Sequence, residues 1–199
     1  PTLFRLIMII KRKLCKVIML KPLITIINKE ILMLRNILIS RTEKLIENSE
    51  IEYFVWCSCL DELEDTMLAI EDYLQNGIGI RDGEKYLKIY GLLQAIIIQQ
   101  DVIKELFSLN NSCCNFQDGF KEIRHLRVCI AGHPVNSQRG ELVHFISRAS
   151  ITDKVFDIMS YNKQNKRDTS TEINYYSLVE NYLDELKNKL SELLILVSI

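Results

Sequence analysis

Apolar side chains recur at helical spacing along most of the chain. Leu23, Ile27, Ile31, Leu34 and Leu38 fall three or four residues apart and predict a long helix over 22–47. Pro22 stands where a first helical turn tolerates it, because its missing N–H would have no intrahelical acceptor there. Asn48-Ser49 supplies an N-cap for a second helix over 50–75. Phe54, Leu60, Leu63, Met67, Ile70 and Leu74 are expected on its core side, and Asp61, Glu62, Glu64, Asp65, Glu71 and Asp72 on the other. Three glycines within 76–83 break the pattern. A third helix over 84–109 carries Leu87, Tyr90, Leu93, Ile97, Val102 and Leu106 on its buried side. After a polar loop at 110–114, residues 115–130 predict a fourth helix, with Phe116, Phe120, Ile123 and Arg127 along one stripe. Gly132-His133-Pro134 closes it, since proline disfavours helix at the residue before it.

The period then shortens. Glu141–Ile151 and Lys154–Tyr161 are rich in β-branched and aromatic residues that alternate at period two, and Thr152-Asp153 between them can turn. A small β-hairpin near 141–161 is therefore expected. Residues 162–171 form a polar loop with Lys163, Lys166 and Arg167, and a last amphipathic helix over 172–197 runs through Tyr175, Leu178, Tyr182, Leu186 and Leu190. The fold class read from this pattern is mainly α, a bundle of four to five long helices with one small hairpin. Residues 22–199 make a single helical domain. Residues 1–21, which alternate apolar clusters with Lys and Arg, form an arm. It is a packed helix, a basic helix at a membrane surface or a non-native segment.

Composition narrows the function classes. With 199 residues, 48% of them hydrophobic and 26% charged, the chain can bury a core and keep a solvated surface. Seven Gly and three Pro are too few for a turn-rich β-sandwich. The net charge of −1 gives no global pull on nucleic acid, so any such site must be a local patch. Cys15, Cys57, Cys59, Cys113, Cys114 and Cys129 lack the spacing of a disulfide framework and suit reduced thiols in the cytoplasm. The longest early apolar run, Leu6 to Ile10, is broken by Lys11-Arg12-Lys13, so no membrane span is expected.

The densest chemistry lies at Arg124-His125-Leu126-Arg127 followed by Gly132-His133-Pro134. A guanidinium can hold a phosphate through two hydrogen bonds, and an imidazole can move a proton near neutral pH. On a helix Arg124 shares a face with Arg127, and His133 follows about one and a half turns on. Such a set can cleave RNA without metal. The 2′-hydroxyl attacks, Arg steadies the phosphate, and His serves as acid or base.

Helix, Arg127, five residues, His133, Pro134 resembles the signature of the HEPN superfamily (higher eukaryotes and prokaryotes nucleotide-binding). The resemblance centres on residues 84–134. It implies a helical bundle and a metal-independent endoribonuclease, or an RNA-binding protein, of a bacterial defence or toxin–antitoxin system. It also implies a homodimer that joins two motifs in one cleft, with an antitoxin-like partner protein. Arg127 and His133 would be catalytic, and Arg124, His125 and Lys121 would bind substrate, with no metal or cofactor. Val128 departs from the pattern, because a polar residue usually follows the Arg.

Other readings stand beside this one. The chain could be a non-catalytic helical protein–protein interaction module. Glu122-Ile123-Arg124-His125 and Glu141-Leu142-Val143-His144 both match Glu-x-x-His, the repeated element of ferritin-like di-iron bundles, although a strand at the second match would spoil that geometry. Cys113, Cys114, Cys129 and His125 could be zinc ligands, but their spacing is not that of structural zinc sites.

Overall fold

The computed structural model describes residues 2–116, 118–132, 141–152 and 154–198, and their side chains from Leu20 onward apart from 118 and 119. Helix α1 spans Thr2–Ser40, α2 Thr42–Asn48, α3 Glu50–Asn76, α4 Asp82–Leu109, α5 Asp118–Arg127 and α6 Tyr175–Ser198. A π-helical turn, Val128–Gly132, extends α5. Strands β1 (Leu142–Ile146), β2 (Val155–Asn162) and β3 (Arg167–Asn174) form one antiparallel sheet in that order. The fold is mainly α, with four long helices among the described residues and a small sheet after the fourth of the six helices and the short α5.

Leu20, Ile27, Ile31, Leu34 and Leu38 form the buried stripe of α1, which packs against α3 and α6. α4 lies against α3, α5 and α6. The core is mainly aliphatic, drawn from Leu60, Leu63, Met67 and Ile70 of α3, Ile96, Ile103 and Leu106 of α4, and Val179, Leu183, Leu186, Leu190 and Leu193 of α6, with Phe120, Phe156 and Tyr182 as its largest fully buried side chains. Among the described residues no helix is long and apolar enough to cross a membrane.

Several expectations need correction. Pro22 does not start a helix; α1 runs through it, so no helix break separates residues 1–21 from the body. The expected single helix over 22–47 instead breaks at Arg41. There Ser40 Oγ donates to the Ile37 carbonyl and Thr42 Oγ1 to that of Leu38, so hydroxyls compete with the helical ladder. Ser49 does cap α3, its side chain accepting from the Glu52 N–H. Phe54 points to solvent at 59% exposure, and Trp56 takes the core position. Leu87 and Tyr90 are also exposed, on the first turns of α4. Phe54 and Leu87 each lie six residues before a true core position, Leu60 and Leu93. Six residues are about 240° around a helix, so neither can share that stripe.

The expected hairpin exists but is two strands of a three-stranded sheet. β1 and β2 pair with Ile146 opposite Ile158 and His144 opposite Ser160. They are joined through a 3₁₀ turn at Arg148–Ser150 and Thr152, whose Oγ1 accepts from the Val155 N–H. The stretch expected to be a polar loop over 162–171 contains a tight turn and most of β3. Asn162 Oδ1 accepts from the N–H groups of Gln164 and Asn165, and Lys166 takes a positive φ of 55°. The last helix therefore begins at Tyr175 rather than 172.

Candidate functional site

The candidate segment occupies α5, ten residues long, and the π-turn after it. α5 is pinned by Phe120, Ile123 and Leu126, all buried, and Phe120 stacks on Phe116 at 4.2 Å between centroids. Arg124, His125 and Arg127 sit in its last turn, where cations meet the negative end of the helix dipole. The π-turn closes i→i+5 hydrogen bonds. Gly132 thus lies one wide turn beyond Arg127, on the same side of the chain.

Arg124 and Arg127 both face α4, but in different electrostatic states. Arg124 forms an ion pair with Asp101. Arg127 Nη2 instead donates to the neutral Gln94 Oε1 at 3.3 Å. Gln94 and Asp101 are two turns apart on α4, so the helices run antiparallel here and each guanidinium meets its own partner. The Nε atoms of both arginines are buried with no protein partner, so what sets Arg127 apart is its neutral partner. Its guanidinium folds over Gly132: a Cβ there would stand 3.1 Å from Arg127 Nη1. Among the described residues no carboxylate lies within ion-pair distance of Arg127.

His125 looks elsewhere. It is two residues from Arg127, or about 200° around the helix, and turns toward the sheet. Its Nε2 lies 3.5 Å from Cys129 Sγ. Both residues line a cavity of about 160 Å³ together with Glu122, His144, Ser160 and Thr171. The His144 side chain is 6% exposed, and its Nδ1 is 2.7 Å from Ser160 Oγ. Its Nε2 is buried with no partner. Burial pushes the His144 pKa below the ordinary 6.5, and the nearby His125 adds to that shift. Burial likewise raises the Cys129 thiol, which is held protonated.

Of the residues singled out from sequence, Arg124 and Arg127 share the α4 side and His125 the sheet side. Lys121 is exposed one turn before Arg124. His133 and Pro134 lie outside the described residues. The His125 side chain does not stand beside Arg127 to replace a polar residue at Val128, because the helix turns the two apart. The two Glu-x-x-His matches do bring His125 and His144 to one cavity, but the second lies on β1, where the i, i+3 geometry of a di-iron bundle is lost. Among the described residues no cluster of three or more His, Cys, Asp or Glu is arranged to hold a metal ion. Cys57, Cys59, Cys113, Cys114 and Cys129 are free thiols.

Sequence reasoning missed Gln94, Asp101, His144 as a cavity residue, and Ser160. For His144 a signal existed. In Leu142-Val143-His144-Phe145-Ile146 the strand period places His144 and Ile146 on one face, and the buried face is theirs, while Phe145 is exposed. No protein-family model, curated protein or solved structure matches this chain.

Proposed function

We propose that the chain is a HEPN-like RNA-binding protein with metal-independent endoribonuclease activity, of the bacterial defence or toxin–antitoxin kind. The observation that carries this reading is the state of Arg127. It is a half-buried cation held by a neutral amide, with an orphaned Nε, five residues before Gly132 and six before His133 in the sequence. A buried charge is costly unless an opposite charge meets it. A phosphate diester would supply that charge and the missing acceptor.

In the proposed reaction the 2′-oxygen bonds to phosphorus as the bond to the 5′-oxygen breaks, leaving a 2′,3′-cyclic phosphate and a 5′-hydroxyl. Arg127 balances the charge on the non-bridging oxygens, and His133 takes or returns the proton. Arg124, neutralised by Asp101, braces α5 against α4 and adds little field. A homodimer would join two such motifs, and an antitoxin-like protein would cover them.

The test is cleavage of single-stranded RNA in excess EDTA, with Arg127→Ala and His133→Ala in parallel. Activity falling by about a hundredfold or more in both variants supports the reading. A folded wild-type protein that neither cuts nor binds RNA removes it.

A second reading, a non-catalytic helical interaction module, draws on a different surface. Ile46 of α2 and Ile51 and Phe54 of α3 are exposed around one helix junction, and grouped apolar exposure marks contact surfaces. On this reading Phe54→Glu would weaken capture of a partner on this surface, and the folded wild type would not cleave RNA.

A further inference from the structure

Between α5 and the inner face of the sheet lies a hollow whose floor is buried and whose rim is open. Leu126, Cys129, His144 and Ile158 form the floor, while Glu122, His125 and Thr171 are exposed around the mouth. Its volume of about 160 Å³ matches cavities of roughly 150 Å³ that hold a single benzene ring. Unlike those, this one has polar edges. Such a hollow suits one six-membered heterocycle rather than an aliphatic group or a single water.

The polar atoms have a pattern. His144 Nδ1 is engaged by Ser160 Oγ, and Nε2 is left buried and unpaired. When the serine hydroxyl donates to Nδ1, the imidazole proton sits on Nε2, an unpaired donor on a residue that lines the hollow. Glu122, at the mouth, is an acceptor. A ring with an acceptor beside a donor would satisfy both. Both pyrimidines have such an edge: N3 beside the N4 amino group in cytosine, and O4 or O2 beside the N3–H in uracil. His125, exposed at the mouth, offers a ring face for stacking, as side chains commonly do for unstacked bases in single strands.

We infer that this hollow is a base-recognition subsite that takes one unstacked pyrimidine of an RNA strand, with His144 and Glu122 reading its edge. The inference rests on the RNA reading above and names the substrate class more closely. The route of the strand is limited by charge. A neighbouring hollow of about 220 Å³ shares Glu122 and Ile173 but adds Glu172 and Glu185. Phosphates therefore pass on the Arg127 side of α5, and only the uncharged base turns toward the sheet.

Free nucleosides test the subsite apart from the phosphate contacts. The chain has three histidines, so each imidazole can be followed separately by NMR during titration with cytidine, uridine or adenosine. Cytidine and uridine are expected to shift the His144 and His125 signals saturably, and adenosine, whose two-ring base exceeds the hollow, is not. Thr171→Trp, at the exposed rim, should block the hollow without touching its floor and abolish the shifts, as should His144→Phe. Arg127→Ala should leave nucleoside binding unchanged. Equal, unsaturable shifts for all three nucleosides, or shifts that survive Thr171→Trp, would overturn the inference. Oligocytidylate and oligouridylate binding separates the two proposals. Arg127-dependent RNA binding with no saturable nucleoside shift removes the subsite and leaves the RNA reading standing. Cytidine binding in the hollow, with oligocytidylate no tighter than the nucleoside, does the reverse.

Discussion

Arg127 owes its state to its neighbours on both sides, a neutral glutamine and a residue with no side chain. Gly132 leaves room for the guanidinium to fold over the π-turn, and an added methyl would crowd Nη1 at 3.1 Å. The crowded atom is the end of a flexible side chain, so Gly132→Ala should change stability by no more than about 0.5 kcal/mol. It should nevertheless displace the phosphate-holding group and weaken RNA binding severalfold; equal binding in titrations of the two proteins would remove Arg127 from the site. His144 gives a second expectation. The unfolded chain takes up its proton near 6.5, but the folded chain, in which burial lowers the value, does so only at lower pH. The unfolded state therefore binds more protons below 6.5, and stability falls as pH drops from there toward the folded value. Urea unfolding between pH 7 and 5 should show this loss in the wild type, and His144→Phe should flatten it.

The elements are joined by a few buried polar bonds inside an otherwise apolar core. Gln99 and Gln100 of α4 are both fully buried. Tyr182 of α6 donates to Gln99 Oε1 at 2.6 Å, and Gln100 Nε2 reaches the Phe120 carbonyl of α5 at 3.5 Å. Tyr182→Phe strands the Gln99 oxygen and should cost about 1–3 kcal/mol in chemical denaturation. Pairing it with Gln99→Leu should recover much of that loss, since removing both partners leaves nothing unsatisfied. These glutamines also show how far the elements were legible. The helices of the bundle follow from their stripes, because Leu60, Leu63, Met67 and Ile70 can face only one way. The ends of those stripes were harder, as Phe54 and Leu87 show, because a helix terminus is covered by fewer neighbours than its middle. β3 was not legible at all: Arg167-Asp168-Thr169-Ser170-Thr171-Glu172 has no apolar alternation, since nearly all of the strand is exposed at the sheet edge. Only its threonines hinted at strand.

At the scale of the whole molecule, the charged segment was legible as a run of residue types, but its division into two faces was not. That division depends on α4 offering Asp101 to one arginine and Gln94 to the other, partners more than twenty residues away that no local spacing announces. The same division sets what the molecule can do with a polyanion. Its net charge is −1, and Arg124 is already neutralised, so overall charge does not drive association with this helix end. Binding to single-stranded RNA should therefore depend weakly on salt. Each neutralised phosphate contributes a slope of about −0.7 to log Kobs against log salt on a single strand. A site built on Arg127 and few other cations should give a total slope on the order of −1 to −3. Arg127→Ala should reduce its magnitude by about 0.7, whereas Arg124→Ala, which frees Asp101, should weaken binding mainly by loosening α5. Fluorescence anisotropy on a labelled oligonucleotide from 50 to 300 mM salt measures all three proteins. A steep slope that ignores Arg127 would mean that RNA is held by another surface, and the functional assignment to this helix end would fall with it.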